Sequence, residues 1–338
     1  MLTSGARSKI RDLKRRATLF HRFHPAMRSM RSDTEGRRFI TCAGKRDRGG
    51  AQALATMSTI LFAHDAGLTY VHTPFSAPKW DELPADLHDP DSEKRWEEFF
   101  NLGKGEISRD QLIEPEIECI KLARPEDLPI SGNNVLYTIA HCHGYANYFP
   151  SRYLAIADRL AEKYRARPKG DLHRDYDPAK LNIAVHVRRG DVVGHGPTAH
   201  RYTSNEFVAS VLRQVLDLAG NDAWPLSVRL YSEGRLADFG QLADMPIEFR
   251  LNECPLATFN NLVDADILLM AKSTFSYAAA LLSRGVKIYE PFDPAGFVHK
   301  PLPDWVVLGR DGAPSRRRLA RNLKKLFASK QLHQAELE

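Results

Sequence analysis

Apolar positions along the chain recur in two periods, and the change from one to the other marks its elements. "RRFITCAG" (37–44) is a short apolar run that ends in a glycine loop, the pattern of a buried strand. In "GGAQALATMSTILFAHDAG" (49–67), Ala53, Met57, Ile60, Leu61 and His64 fall at helical spacing. Gly67 stands where a helix C-cap glycine belongs. "LTYVHTP" (68–74) reads as a second strand, stopped by Pro74. Strand, helix and strand in this order form a βαβ unit, the building block of an open parallel sheet.

The alternation continues less cleanly. An acidic, proline-broken insertion (78–92) precedes a predicted helix at 92–102, with weak strands at 116–121 and 134–139. In "SRYLAIADRLAEKYRA" (151–166) Leu154, Ala157, Leu160, Ala161 and Tyr164 share one helical face. "RPKGDLHRDYDPAK" (167–180) has no apolar period and reads as a linker. Beyond it the contrast sharpens. Strands are expected at 181–187, 226–231, 246–250, 266–270 and 285–289, and helices at 204–219, 235–242, 256–263, 275–284 and 314–328. The pattern predicts an α/β protein with two facing, Rossmann-type, doubly wound domains. Its expected divisions are a basic arm (1–36), an N-terminal domain (37–170), a C-terminal domain (180–312) and a terminal helix (313–338).

Charge adds one feature. Residues 1–48 hold fourteen Lys and Arg against four Asp and Glu, which leaves the rest of the chain at −4 of the net +6. Residues 1–35 have few large apolar side chains, so the arm is expected either to be partly disordered or to lie along a surface. Its Arg15, Arg16, Arg22 and Arg28 interleave with Phe20, Phe23 and Met27, a composition suited to an anionic interface. A second basic cluster, Arg316 to Lys325, lies near the C-terminus. The four cysteines (Cys42, Cys119, Cys142, Cys254) have no paired spacing, which argues for a reducing compartment and against a disulfide framework or structural zinc. No apolar run reaches the ~18 residues of a spanning helix. The expected location is cytoplasmic, with peripheral membrane contact through residues 1–30 as an option.

In doubly wound sheets ligands bind beyond the carboxyl ends of the strands, so the residues after each strand carry the chemistry. After 181–187 come Arg188, Arg189, Gly190 and Asp191. A guanidinium at a strand tip suits a phosphate, because its planar fork stays charged and donates two hydrogen bonds. Strand alternation places Arg189 on the opposite face. A local Arg–Asp salt bridge in a surface loop explains the same residues equally simply. After 226–231 come Ser232 and Glu233, a carboxylate fit for a ribose hydroxyl or for the start of a helix. After 266–270 comes "KSTFSYAAALLSRG" (272–285), where Ser273 and Thr274 read as N-cap residues at a helix end able to face an anion. The turn "RDRGGAQ" (46–52) is glycine-rich, yet it is neither a dinucleotide fingerprint nor a P-loop. The histidines of "HCH" (141–143) have no third ligand beside them, and His186 reads as a buried, hydrogen-bonded histidine.

Three motifs combine. "HVRRGD" (186–191) resembles the HxRxGD signature of the α1,2-, α1,6- and protein O-fucosyltransferases. "DADILLMAKSTFSYAAALL" (264–282) is similar to a later motif of those families, and "GGAQALATMSTILFAHDAGLTYVHTPF" (49–75) to their N-terminal "GNQ" turn, with Gly49, Gly50 and Gln52 in place and Ala51 where the asparagine is usual. The likeness covers about a quarter of the chain, and 76–180 carries none. It implies a GT-B-like, inverting, metal-independent glycosyltransferase with GDP-fucose as co-substrate, no cofactor and a glycan or glycolipid acceptor. Carried over, Arg188 contacts the donor's β-phosphate, and His186 and Gly190 shape the strand end. Ser273, Thr274, Phe275 and Ser276 line the diphosphate, and the second motif falls on Ser232 and Glu233. The acidic residue that some relatives carry after HxRxGD has no counterpart, so Asp191 and His195 stand as base candidates, with carboxylates or histidines of the first domain as the alternative. Two alternatives remain open. One keeps the fold with another nucleotide sugar. The other is a non-catalytic protein that binds a membrane surface or nucleic acid through its basic arm.

Overall fold

A computed structural model describes residues 4–23, 37–79, 89–112, 117–129, 133–169, 172, 176–192, 194–196, 198–220, 224–291, 299–309 and 311–335. The chain divides into two compact units, Met1–Pro168 and Lys169–Glu338. Much of the expected arm (1–3 and 24–36, with Met27 and Arg28), of the insertion (80–88) and of the linker (170, 171 and 173–175) lies outside the described residues.

The first unit opens with α1 (Ser4–Phe23), then β1 (Arg38–Cys42), α2 (Gly49–Ala66), β2 (Thr69–His72), α3 (Ser92–Phe100), β3 (Ile107–Ser108), β4 (Glu118–Lys121), β5 (Val135–Ile139), α4 (His143–Tyr148) and α5 (Ala157–Arg165). Its sheet is parallel throughout, in the order β3-β2-β1-β5-β4. Gly67 ends α2 in the left-handed conformation (φ 70°), with its N–H on the Ala63 carbonyl. The helix expected over 151–166 differs. Pro150–Ala155 is a 3₁₀ turn, and Ile156 (φ −124°) separates it from α5, so the apolar face is split between two segments.

The basic arm is not a loose tail over its described length. Leu19 and Phe23 of α1 are buried, and Phe23 packs edge-on against Phe62 of α2 at 5.1 Å. Arg22 donates to the carbonyls of Glu126 and Leu128, Arg15 pairs with Glu126, and Arg16 lies over the Phe149 ring. Deeper in the unit, the fully buried Asp65 is held by Arg152 through both oxygens and by the Tyr145 hydroxyl at 2.8 Å.

The second unit contains β6 (Leu181–His186), α6 (Asn205–Ala219), β7 (Leu226–Ser232), β8 (Glu248–Leu251), α7 (Pro255–Asp264), β9 (Ile267–Leu269), α8 (Thr274–Leu282), β10 (Val286–Tyr289), β11 (Val306–Val307) and α9 (Arg316–Ala335). The segment expected as a helix at 235–242 is a 3₁₀ turn bent at Gly240. All strands are parallel, in the order β11-β10-β9-β6-β7-β8. The chain runs outward from β6 to β8, then returns to β9 on the other side of β6. That is the Rossmann order, with its topological switch between β6 and β9.

Helices cover both faces of this sheet. Ile183, Val185 and Val187 point toward α6 and α9, where they meet Val208, Val211, Leu212, Leu319 and Leu323. Burying each such side chain contributes about 1.5–3 kcal/mol. His186, on the alternate face, meets α8. The terminal helix α9 thus belongs to this unit's core, and its Lys330 also pairs with Asp266 at 2.9 Å.

Candidate functional site

The switch point brings two sequence-distant segments together. Arg188 follows β6, and Ser273 follows the neighbouring β9. Arg188 Nε and Nη2 donate to the two carboxylate oxygens of Asp191 at 3.0 and 2.7 Å, so the carboxylate fixes one edge of the guanidinium. The remaining nitrogen, Nη1, lies 3.5 Å from Ser273 Oγ. Ser273 is buried and caps α8, accepting from the Phe275 N–H at 3.2 Å. A fixed guanidinium thereby stands beside a helix N-terminus, which presents a positive dipole and backbone N–H groups.

His186 supports this tip from below. Its Nδ1 lies 2.5 Å from the buried Ser276 Oγ, and its ring tilts against Phe275 at 5.6 Å. Burial, aided by the charge of Arg188, pushes the imidazole pKa down to about 3. It is a neutral, positioning histidine. Phe275 in turn meets Phe259 edge-on at 5.1 Å, which anchors the first turn of α8 to α7.

Arg189 points the other way, as alternation requires. It donates to the Thr203 carbonyl and to Asn205 Oδ1 (2.7 Å) and lies 4.4 Å over the Tyr202 ring, which closes the β6–α6 loop on itself. Arg201, half-buried on that loop, has its pKa lowered by burial and then by Arg188, with Asp191 opposing. No sequence motif singles it out. His195 is exposed on the same loop and makes no hydrogen bond to another described residue.

On the other flank of β6, Ser232 Oγ donates to the Val187 carbonyl at 2.7 Å and ties the β7 tip to the β6 tip. Glu233 follows, exposed, its carboxylate lying over Gly190. Gly190 is required by its backbone, with φ at +70°; the Glu233 Oε2 lies where a Cβ would stand, and a side chain there would displace that carboxylate. A small pocket opens among Phe207, Val211 and Leu269, and Arg188, Thr203 and Glu290 also line it. Glu290 accepts from Thr203 Oγ1 at 2.6 Å and pairs with Lys272 at 2.8 Å. Glu290 directly follows β10 and Lys272 comes three residues after β9, so the strand-end rule applied to every strand would have found them.

The glycine turn of the first unit holds loops. Gln52 Nε2 donates to the Asp47 and Ser76 carbonyls (2.7 and 2.8 Å), and its Oε1 accepts from the Ser76 N–H. Gly49 leaves room for the Trp96 indole, and Gly50 is buried beside it in the first turn of α2. The rings of His141 and His143 stack at 4.4 Å. Among the described residues no group of His, Cys, Asp or Glu is arranged to hold a metal ion, and no helix is long and apolar enough to cross a membrane.

No protein-family model matches the sequence, and no curated protein matches it. Among solved structures the chain is similar to a point mutant of Arabidopsis thaliana FUT1 in complex with GDP, at 15% identity over 82% of this chain and 77% of that one, with a TM-score of 0.42. It is similar to POFUT1 in complex with GDP at 14% identity, over 75% and 97% of the two chains, with a TM-score of 0.36. NodZ alpha-1,6-fucosyltransferase, co-crystallized with GDP, is 16% identical over 73% of this chain and 93% of its own, with a TM-score of 0.32.

Proposed function

We propose that this protein is a glycosyltransferase of the GDP-fucose-dependent fucosyltransferase superfamily, GT-B-like in architecture, which transfers fucose to a glycan hydroxyl with inversion. One observation carries the reading: at the β6/β9 switch point Arg188, braced by Asp191, stands beside the capped N-terminus of α8. The "HVRRGD" and "KSTFS" motifs that resemble the superfamily meet at this place.

In this reading the donor's diphosphate lies across Arg188 Nη1 and the α8 N-terminus. The acceptor oxygen attacks the sugar's anomeric carbon from the side opposite the diphosphate. The bond from that carbon to the phosphate oxygen breaks, and its electron pair leaves with GDP. Negative charge grows on the β-phosphate, and a guanidinium already in position stabilises it without reorganisation. Asp191 is a positioning residue. His186, neutral and fixed to Ser276, keeps the tip's shape without adding charge.

The reading in which the basic arm makes a non-catalytic membrane or nucleic-acid binder has less support, because Arg15, Arg16 and Arg22 are engaged with the first unit. Isothermal titration with GDP, GDP-fucose, UDP and UDP-sugars tests the proposal. GDP and GDP-fucose are expected to bind. Binding of UDP-sugars alone would move the assignment to another donor, and no nucleotide binding would end it.

A further inference from the structure

Inverting transfer needs a group to take the proton of a weakly acidic sugar hydroxyl, and most titratable groups around the β6 tip are already committed. Asp191 gives both oxygens to Arg188. Glu290 holds Thr203 and Lys272. Asp238 accepts from the Arg235 N–H at 2.7 Å and pairs with its guanidinium. Glu253 pairs with Arg250 at 3.3 Å. His186 is bound to Ser276, and His195 makes no hydrogen bond to another described residue.

Glu233 is different. Its strand pairs with β6 so that His186 lies opposite Tyr231, and Ser232 and Glu233 stand level with the residues that follow His186. The Ser232 Oγ bond to the Val187 carbonyl fixes that level. The Glu233 carboxylate lies on Gly190, inside the Arg188–Asp191 turn, at a place kept open because residue 190 has no side chain. It is exposed, and its oxygens accept no hydrogen bond and form no ion pair with a described residue. An exposed carboxylate positioned by its backbone beside a phosphate clamp, with no partner among the described residues, is set up to receive a proton.

We propose that Glu233 is the catalytic base of the transfer, an inference that rests on the donor reading above. The acceptor O–H bond breaks and its proton passes to a Glu233 oxygen. The acceptor oxygen forms its bond to the anomeric carbon, and the carbon–phosphate-oxygen bond breaks with its electron pair on GDP. Glu233 then returns the proton to solvent.

The test compares wild type, Glu233→Gln and Glu233→Asp by titration with GDP-fucose and by GDP release. Release is followed with water alone, with N-acetylglucosamine and galactose oligosaccharides, and with sodium azide. Azide attacks the sugar without losing a proton, so it bypasses a missing base but not a damaged donor site. For Glu233→Gln the inference requires unchanged GDP-fucose affinity, GDP release slower by about 10²–10⁴-fold, and recovery with azide as fucosyl azide forms. Glu233→Asp is expected to fall between the two. Wild-type turnover in Glu233→Gln, loss of donor affinity, or failure of azide would each overturn the assignment while leaving the donor reading in place. A wild-type protein that neither binds nor hydrolyses GDP-fucose would overturn both.

Discussion

Arg188 and Ser273, 85 residues apart in sequence, meet at 3.5 Å across the β6/β9 switch point. The serine caps a helix and the arginine is braced by Asp191, so both are in position before any ligand arrives. If they bind a diphosphate, Arg188→Ala removes charge-assisted hydrogen bonds worth about 1.5–3 kcal/mol. GDP affinity is then expected to fall roughly 10- to 100-fold, while guanosine, which lacks the phosphates, is unaffected. Arg188→Lys keeps the charge but not the fork on Asp191, and should recover only part of the loss. Calorimetry with GDP and guanosine on the three proteins measures this, and unchanged GDP affinity in Arg188→Ala would refute the diphosphate assignment.

Gly190 makes a separable prediction. Its φ of +70° costs a side-chain-bearing residue about 1–2 kcal/mol, and the Glu233 carboxylate occupies the Cβ position besides. Gly190→Ala should lower the urea midpoint by about the backbone cost, because the exposed Glu233 side chain can swing aside. In a Glu233→Ala background the same substitution should cost the same within about 0.5 kcal/mol. A markedly smaller cost in that background would show that the carboxylate is held on Gly190.

What the sequence revealed follows from the range of its signals. Ser273 announced a helix start because an N-cap acts within three residues, and it accepts the Phe275 N–H. Gly67 announced a helix end for the same local reason. Alternation along "VHVRRG" separated Arg188 from Arg189 correctly, since a strand's period of two needs no tertiary information. The two-residue strands Ile107–Ser108 and Val306–Val307 are too short to have a period at all. The Asp65–Arg152 pair spans 87 residues and the Lys272–Glu290 pair links two strand ends, and such partners become visible only when the sheet order is known. Phe23 stands out in the sequence only as an aromatic among arginines and Leu19 not at all, because among the side chains described this highly charged helix buries only these two.

The depressed pKa of His186 ties stability to pH. Unfolded, the imidazole titrates near its ordinary 6.5; folded, it does so only at about 3. Between those values the unfolded chain binds a proton that the folded chain does not, so the linkage favours unfolding as pH falls. The contribution is complete above pH 6.5 and is lost progressively from 6.5 toward 3. His186→Gln has no such titration. The difference in melting temperature between wild type and His186→Gln should therefore shift toward the variant as the buffer goes from pH 7 to pH 4. A difference that stays constant over that window would mean the histidine is accessible to protons in the folded protein.

The last prediction concerns α1, where a charged sequence and a structural role coincide. Leu19 is fully buried and Phe23 nearly so, whereas Leu13 on the same helix is 65% exposed. Truncating a buried leucine costs about 2–5 kcal/mol through lost burial and the cavity left behind. Leu19→Ala should therefore lower the stability of the first unit markedly, and Leu13→Ala should leave it within about 0.5 kcal/mol. Deleting residues 1–23 removes the ring packed on Phe62 and both Arg22 contacts to the Glu126 and Leu128 carbonyls. The truncated protein should melt at a lower temperature even in the absence of membranes or nucleic acid. An arm that served only as a detachable basic handle would leave the melting temperature unchanged, so scanning calorimetry of the truncation separates a structural helix from a docking tail.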